Sequence, residues 1–188
     1  MSLPKAVNDI PAFLHQSGYK RFCEIGVRNG KSLARWLKAS PEVMVAVDSW
    51  KDDKILPHND LCRSQERLDN EFKAIDAWRS EYPSLQVLRM YSQEASVKFT
   101  DEYFDFIFID ADHSYEGVKA DLNSWYPKLR SGGLFCGHDY LETVGGRRKN
   151  TYSFGVIKAV DEFVKDIGLT NQLVITAESF PYWLFIKP

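Results

Sequence analysis

A chain of 188 residues, 44% of them hydrophobic, suits a single domain spanning 1–188 with a sizeable core. The formal net charge of −2 supplies no broad positive field, so a nucleic-acid backbone is not the expected partner. No apolar run approaches the roughly 18 residues that span a bilayer, and the start lacks a signal peptide's basic and apolar segments. A cytoplasmic protein with no membrane partner is therefore expected.

Short apolar runs read as buried strands, and the segments between them carry helical spacing. The first strand is Arg21–Ile25, followed by a helix in which Leu33, Trp36 and Leu37 share one face. Strands follow at Val43–Val47, Leu85–Met90 and Phe104–Ile109. Next comes a helix with Val118, Leu122, Trp125 and Leu129 on one face, which Ser114 is placed to cap. Ser131-Gly132-Gly133 predicts a stop and a turn into a strand at Leu134–Cys136. Val156, Val160, Phe163 and Ile167 mark another helix, and strands at Leu173–Ile175 and Trp183–Ile186 close the chain. The last two are separated by Ala177–Tyr182, too short a link for a crossover helix, so they are expected to pair antiparallel. Asp52–Ser64 and Leu141–Thr151 are polar and predicted to be loops.

Near-continuous apolar strands alternating with amphipathic helices predict an α/β fold, a mostly parallel sheet covered on both faces. Right-handed crossovers then gather the carboxyl ends of the strands along one edge, where ligands bind. Cys23, Cys62 and Cys136 are scattered, without a C-x-x-C pair, and are expected to be reduced and structural.

The first strand runs into Glu24-Ile25-Gly26-Val27-Arg28-Asn29-Gly30, and the second ends at Asp48. Glycines permit a sharp turn and close approach to a ligand. A carboxylate at the second strand end suits the hydroxyls of a ribose. A dinucleotide turn needs G-x-G-x-x-G, whose amides cradle a pyrophosphate. Here the spacing is G-x-x-x-G, and Glu24 would repel a pyrophosphate but suits an ammonium group. S-adenosylmethionine carries an ammonium, a sulfonium and a ribose. The plainer alternative is that Gly26 and Gly30 permit tight packing while Glu24 is a solvated strand end.

Three further stretches extend the pattern. They are Asp105–Gly117, containing Asp110-Ala111-Asp112-His113, then Trp125–Leu129, then Gly132-Gly133 through Gly137-His138-Asp139-Tyr140. Together they resemble the class I S-adenosylmethionine-dependent methyltransferases, in the subfamily that includes macrolide-sugar and related small-molecule O-methyltransferases. The resemblance runs from about Arg21 to the C-terminus, including Gly155–Phe163. It implies a Rossmann-like three-layer sandwich whose seven-stranded, mostly parallel sheet has an antiparallel last strand. It places Glu24, Gly26 and Gly30 around the methionine part of the cofactor, Asp48 on the ribose, Ser92 near the adenine, and Asp110 beside the methyl group. Cys23 and Cys136 then fall on non-neighbouring strands. Tyr91 stands where the family often has a small residue. Trp50 is placed either to cover the adenine face or simply to pack.

Asp110 ends the fourth strand and His138-Asp139 end the fifth, neighbours in that topology. Converging carboxylates suit a divalent cation such as Mg²⁺ with oxygen ligands, able to bind an acceptor hydroxyl and lower its pKa. Asp110, His138 and Asp139 are the expected metal ligands, and His113 the general base. The metal-dependent sugar methyltransferases are similar, with an acid and then a histidine three residues on. They tend to carry an acidic pair after the fifth strand, from which His138 departs toward a transition-metal preference. The alternative is that Asp110 and Asp139 cap helices and His113 orders a turn. Asp112 is expected to cap or turn. Gly145-Gly146-Arg147-Arg148-Lys149 reads either as a lid over an anionic substrate or as a solvated loop.

The expected function is methyl transfer to a small hydroxylated acceptor that the sequence does not name. An NAD-dependent oxidoreductase is disfavoured by the missing third glycine. A non-catalytic nucleoside-binding protein on the same fold is the second alternative. A nucleic-acid methyltransferase is disfavoured by the pI of about 6.1 and by Asp110-Ala111-Asp112-His113 in place of an N/D-P-P-Y/F motif. Assembly into a homo-oligomer stays open.

Overall fold

The computed structural model describes residues 2–52, 64–145 and 151–188. A seven-stranded sheet forms its centre. The strands are β1 (Arg21–Ile25), β2 (Val43–Asp48), β3 (Leu85–Arg89), β4 (Phe104–Ile109), β5 (Leu129–Gly137), β8 (Val174–Ile175) and β9 (Trp183–Ile186). A separate hairpin pairs β6 (Thr143–Gly145) with β7 (Thr151–Ser153). The sheet order is β3-β2-β1-β4-β5-β9-β8. Strands β1 to β5 pair in parallel, and β9 runs antiparallel to both β5 and β8. The arrangement is a Rossmann-like fold, with the closing hairpin that the short link between the last strands demands.

The six residues of β4 are all buried, because the central strand is covered by helices on both faces. On one face, α1 (Ile10–Gln16) and α2 (Leu33–Leu37) pack Ile10, Leu14, Leu33 and Trp36 against Phe22, Phe106 and Phe108. Trp36 meets Phe106 and Phe108 edge-on, at 5.2 and 5.0 Å. On the other face, α5 (Tyr115–Trp125) and α6 (Val156–Asp166) bring Val118, Leu122, Trp125 and Val160 onto Ile107 and Phe135. Ser114 caps α5 as expected, its Oγ accepting from the Gly117 N–H at 3.1 Å. Asp112 holds the same turn by accepting from the Ser114 amide and hydroxyl.

Several expectations shift. β5 begins at Leu129, so Ser131-Gly132-Gly133 lies within it rather than before it. Gly132 sits at φ +74°, and the pairing with β4 changes register between Phe104 and Phe106. A glycine inside a strand absorbs that irregularity. Helices α3 (Gln65–Ala77) and α4 (Ser92–Ser96) carry too few apolar residues for the spacing to reveal them; Ile75 is the one buried residue in α3. Of the two expected loops, 53–63 and 146–150 lie outside the described residues, and Leu141–Thr151 takes in β6 and the start of β7. Cys23 and Cys136 are buried free thiols on β1 and β5, separated by β4; Cys62 lies outside the described residues. No helix among the described residues is long and apolar enough to cross a membrane.

Candidate active site

The sheet reverses its direction of growth between β1 and β4, the point where open α/β sheets leave a crevice at the strands' carboxyl ends. A cleft of about 870 Å³ opens there, within the range of small-molecule sites. Gly26 closes its base at φ +88°; a Cβ there would lie 2.0 Å from the Asp110 carbonyl oxygen. The turns after β1 and β4 thus touch backbone to backbone, which only glycine permits. Gly30, at φ +77°, is different. A Cβ there would strike Ile75 at 2.4 Å, so it packs beneath α3 and lies outside the cleft lining.

Glu24 forms the floor. It is 1% exposed, and its Oε2 has no hydrogen-bond partner. Burial, then the charges of Asp110 and Asp48, push its carboxyl well above the usual range, and Arg35 offsets only part of this. Asp48 takes one amide on each oxygen, from Arg28 at 2.8 Å and Trp50 at 2.7 Å. Its pKa is raised by burial and pulled back by those amides. Each oxygen retains a lone pair for a ligand. Trp50 is buried and donates from its indole to the Arg28 carbonyl at 2.9 Å. It also tilts against Phe72, so it both packs and borders the cleft.

At the far side, Ser92 donates to Asp121 and accepts from the Trp125 indole at 2.8 Å. Gln93 Nε2 donates to the same Asp121 oxygen at 2.9 Å. Asp121 is buried, and burial pushes its pKa up to about 7. Gln93 and Asp121 both line the cleft and were not singled out from sequence. The available signal for Asp121 was an acid beside Leu122 on the apolar stripe of α5.

The opposite end holds the acid–histidine cluster. His113 Nε2 lies 3.2 Å from Asp110 Oδ1 and 2.9 Å from Asp139 Oδ2. Its ring stacks on Phe154 at 4.7 Å. Burial alone would lower the His113 pKa, but hydrogen bonds and charge from Asp110 and Asp139 raise it to about 10. Burial likewise opposes charge on His138, yet the same two acids raise it to about 9. Asp139, which burial would raise, is held well below the carboxylate range by the two histidines. Asp139 stands at φ +54°, an uncommon conformation for a non-glycine residue. Its Oδ1 lies 3.1 Å from His138 Nδ1 but out of line, and is buried without a hydrogen-bond partner.

Ligand atoms of Asp110, His113 and Asp139 lie within 4.8 Å of one another, a spacing that fits one cation. His138 was expected among the ligands and His113 apart from them. His138 instead stands 3.6 Å from Asp110, against Tyr182 at 4.5 Å, outside that converging group. The structure therefore brings Glu24, Gly26, Asp48, Ser92, Asp110, His113, His138 and Asp139 to one cleft and leaves Gly30 behind it. Of the basic segment, 146–149 lie outside the described residues.

The family of methyltransferase domains matches residues 23–140, well over half of the chain. The chain belongs to the class I S-adenosylmethionine-dependent methyltransferases. No curated protein sequence matches it at a significant level. Solved structures share its fold at low identity. A provisionally assigned O-methyltransferase from Klebsiella pneumoniae is 15% identical, with a TM-score of 0.62 over 100% of this chain and 82% of that one. A methyltransferase of Podospora anserina with S-adenosylhomocysteine bound is 13% identical, with a TM-score of 0.62, covering 95% and 76%. Spermidine synthase from Thermotoga maritima is 17% identical, with a TM-score of 0.57, covering 96% of this chain and 59% of that one. Such a spread of activities on one architecture means that the reaction must be argued from the site.

Proposed function

We propose that this methyltransferase transfers a methyl group from S-adenosylmethionine to a hydroxyl of a small molecule, a sugar or a secondary metabolite. The observation that carries the cofactor reading is the unpartnered, buried Oε2 of Glu24 in the cleft floor. A buried carboxylate without a partner is costly, and the ammonium of the cofactor's amino-acid end is its natural complement. Asp48 has lone pairs left for the ribose hydroxyls, and Ser92 with Gln93 borders the adenine end. A pyrophosphate would meet the acidic Glu24 where a dinucleotide turn offers amides, which disfavours a dinucleotide. When bound, S-adenosylmethionine supplies the methyl group on an electrophilic sulfonium.

The acceptor end is the Asp110–His113–Asp139 cluster. The orphaned Asp139 oxygen and its approach to Asp110 fit a divalent cation held by the two carboxylates, with His113 Nε2 left free beside it. Such a cation would polarise an acceptor hydroxyl and neutralise the carboxylates that keep His113 protonated. His113 is placed to take the hydroxyl proton on Nε2, and Asp110 and Asp139 fix the orientation of its ring. Phe154 covers the ring face and limits water there.

The test is a methyl-transfer assay with purified protein, S-adenosylmethionine and a panel of hydroxylated sugars, catechols and small hydroxy acids. Turnover is expected on at least one hydroxylated acceptor. Cofactor binding without turnover on any acceptor would favour a nucleoside-binding role instead.

A further inference from the structure

Phe180 stands on the short link between β8 and β9, 46% exposed, and lines the cleft. Every other phenylalanine of the chain is buried or half-buried. A single apolar side chain on an open surface needs no explanation. One fixed in the wall of a binding cleft does. The link that carries it is tied on both sides. The Val7 amide donates to Glu178 Oε1 at 2.6 Å, and the Tyr182 amide to Thr176 Oγ1 at 2.9 Å. The amide of Tyr140, next to Asp139, donates to the Pro181 carbonyl at 3.0 Å, which fastens the link to the acceptor cluster. The Phe180 ring lies within 23° of the plane of His138, with centroids 6.3 Å apart. His138 in turn meets Tyr182 at 4.5 Å. The wall beside Asp110 and Asp139 is therefore a run of three rings, with Phe180 the one left open.

We infer that Phe180 is the stacking platform for the acceptor, and that the acceptor is a phenol or catechol, a flat ring with its hydroxyls on one edge. The inference rests on the O-methyl transfer proposed above and narrows its acceptor to an aromatic one. Aromatic pairs gain from ring geometry beyond the area they bury. A sugar carries hydroxyls around its whole ring, and each one taken out of water needs a partner. The faces of Phe180 and Tyr182 provide none. Two polar atoms of this wall are already engaged, His138 Nδ1 by Asp110 and Asp139 and the Tyr182 hydroxyl by Arg35. A phenolic ring lays its apolar face on Phe180 and sends its polar edge toward Asp110, Asp139 and His113.

The experiment is isothermal calorimetry on the protein saturated with S-adenosylhomocysteine and Mg²⁺, so that binding is read without turnover. The probes are catechol and cis-1,2-cyclohexanediol, which has the same adjacent oxygens but no aromatic face. Wild-type protein should prefer catechol by about 10-fold. Phe180→Ala should weaken catechol by about 10-fold, while the saturated diol and S-adenosylhomocysteine stay within about twofold. Phe180→Tyr should retain catechol binding, Phe180→Leu should not, and Val97→Ala, which trims another exposed apolar side chain, should change nothing. Equal binding of the two probes, no binding of catechol, or a Phe180→Ala protein with wild-type affinity for catechol overturns the inference. A parallel assay with S-adenosylmethionine keeps the two readings apart. Phe180-dependent binding of catechol and other phenols with no methyl transferred to any of them would support the platform and overturn the methyl-transfer reading instead.

Discussion

The two ends of the cleft solve the problem of buried charge in opposite ways. At the cofactor end, Glu24 has a buried oxygen with no hydrogen-bond partner among the described residues. At the acceptor end, Asp110, Asp139, His113 and His138 lie within ion-pair distance of one another, with Asp139 Oδ1 left without a hydrogen bond. An unsatisfied group is complemented only when ligand arrives, so that end is built for affinity. A cluster whose charges offset one another is stable without ligand and must be rearranged for chemistry, so that end is built for turnover. Perturbations at one end should therefore leave the other's readout almost untouched.

The largest effect is expected from chelation. If Asp110 and Asp139 hold a cation, removing it should abolish methyl transfer, and added Mg²⁺ or Mn²⁺ should restore it. Affinity for S-adenosylmethionine should change little. Full activity in excess chelator would remove the metal and leave His113 as an unaided base. His113→Ala comes next. A general base contributes about 10²–10⁴-fold, so kcat should fall by that factor with cofactor affinity preserved. A variant as fast as wild type would make His113 a turn residue.

At the other end, Asp48→Ala should weaken cofactor binding by about 1–3 kcal/mol, because the ribose hydroxyls lose a charged acceptor. Calorimetry across the two proteins reads this directly; equal affinities would remove Asp48 from the ribose.

The smallest expected effect separates the ends by pH. The folded-state pKa of His113 is raised from 6.5 to about 10. Its contribution to stability is then complete below 6.5 and lost as pH rises toward 10. Asp139 is shifted the other way, so its contribution is present above 3.8 and lost as pH falls below that. In metal-free protein, Tm should decline between pH 6.5 and 10, and His113→Gln should flatten that decline. Parallel curves for the two proteins would mean that the cluster does not hold its charges as described.

How much of this was legible in the sequence follows the same division. The strand ends were readable because each acid or glycine terminates an apolar run: Glu24, Gly26, Asp48, Asp110 and Asp139 all reach the cleft. The parallel core and closing hairpin were readable from run lengths and from the short link Ala177–Tyr182. Positions fixed by helix-to-strand packing were not. Gly30 matches a binding pattern, yet Ile75 on a mostly polar helix occupies the space beside it. Arg35 and Asp121 sit on helices whose apolar stripes conceal which polar side chain turns inward. The roles of His113 and His138 depend on side-chain direction at the ends of two strands, which periodicity does not encode. Those two histidines are one residue type with different neighbours, Phe154 for one and Tyr182 for the other.

The central claim is that the unsatisfied end of the cleft is shaped for S-adenosylmethionine. Its most direct test is calorimetric titration of the purified protein with S-adenosylmethionine and, separately, with NAD. The account predicts micromolar binding of S-adenosylmethionine, around −8 kcal/mol, and weaker binding of NAD, whose pyrophosphate would meet Glu24. Tighter binding of NAD, or no binding of S-adenosylmethionine, would contradict it.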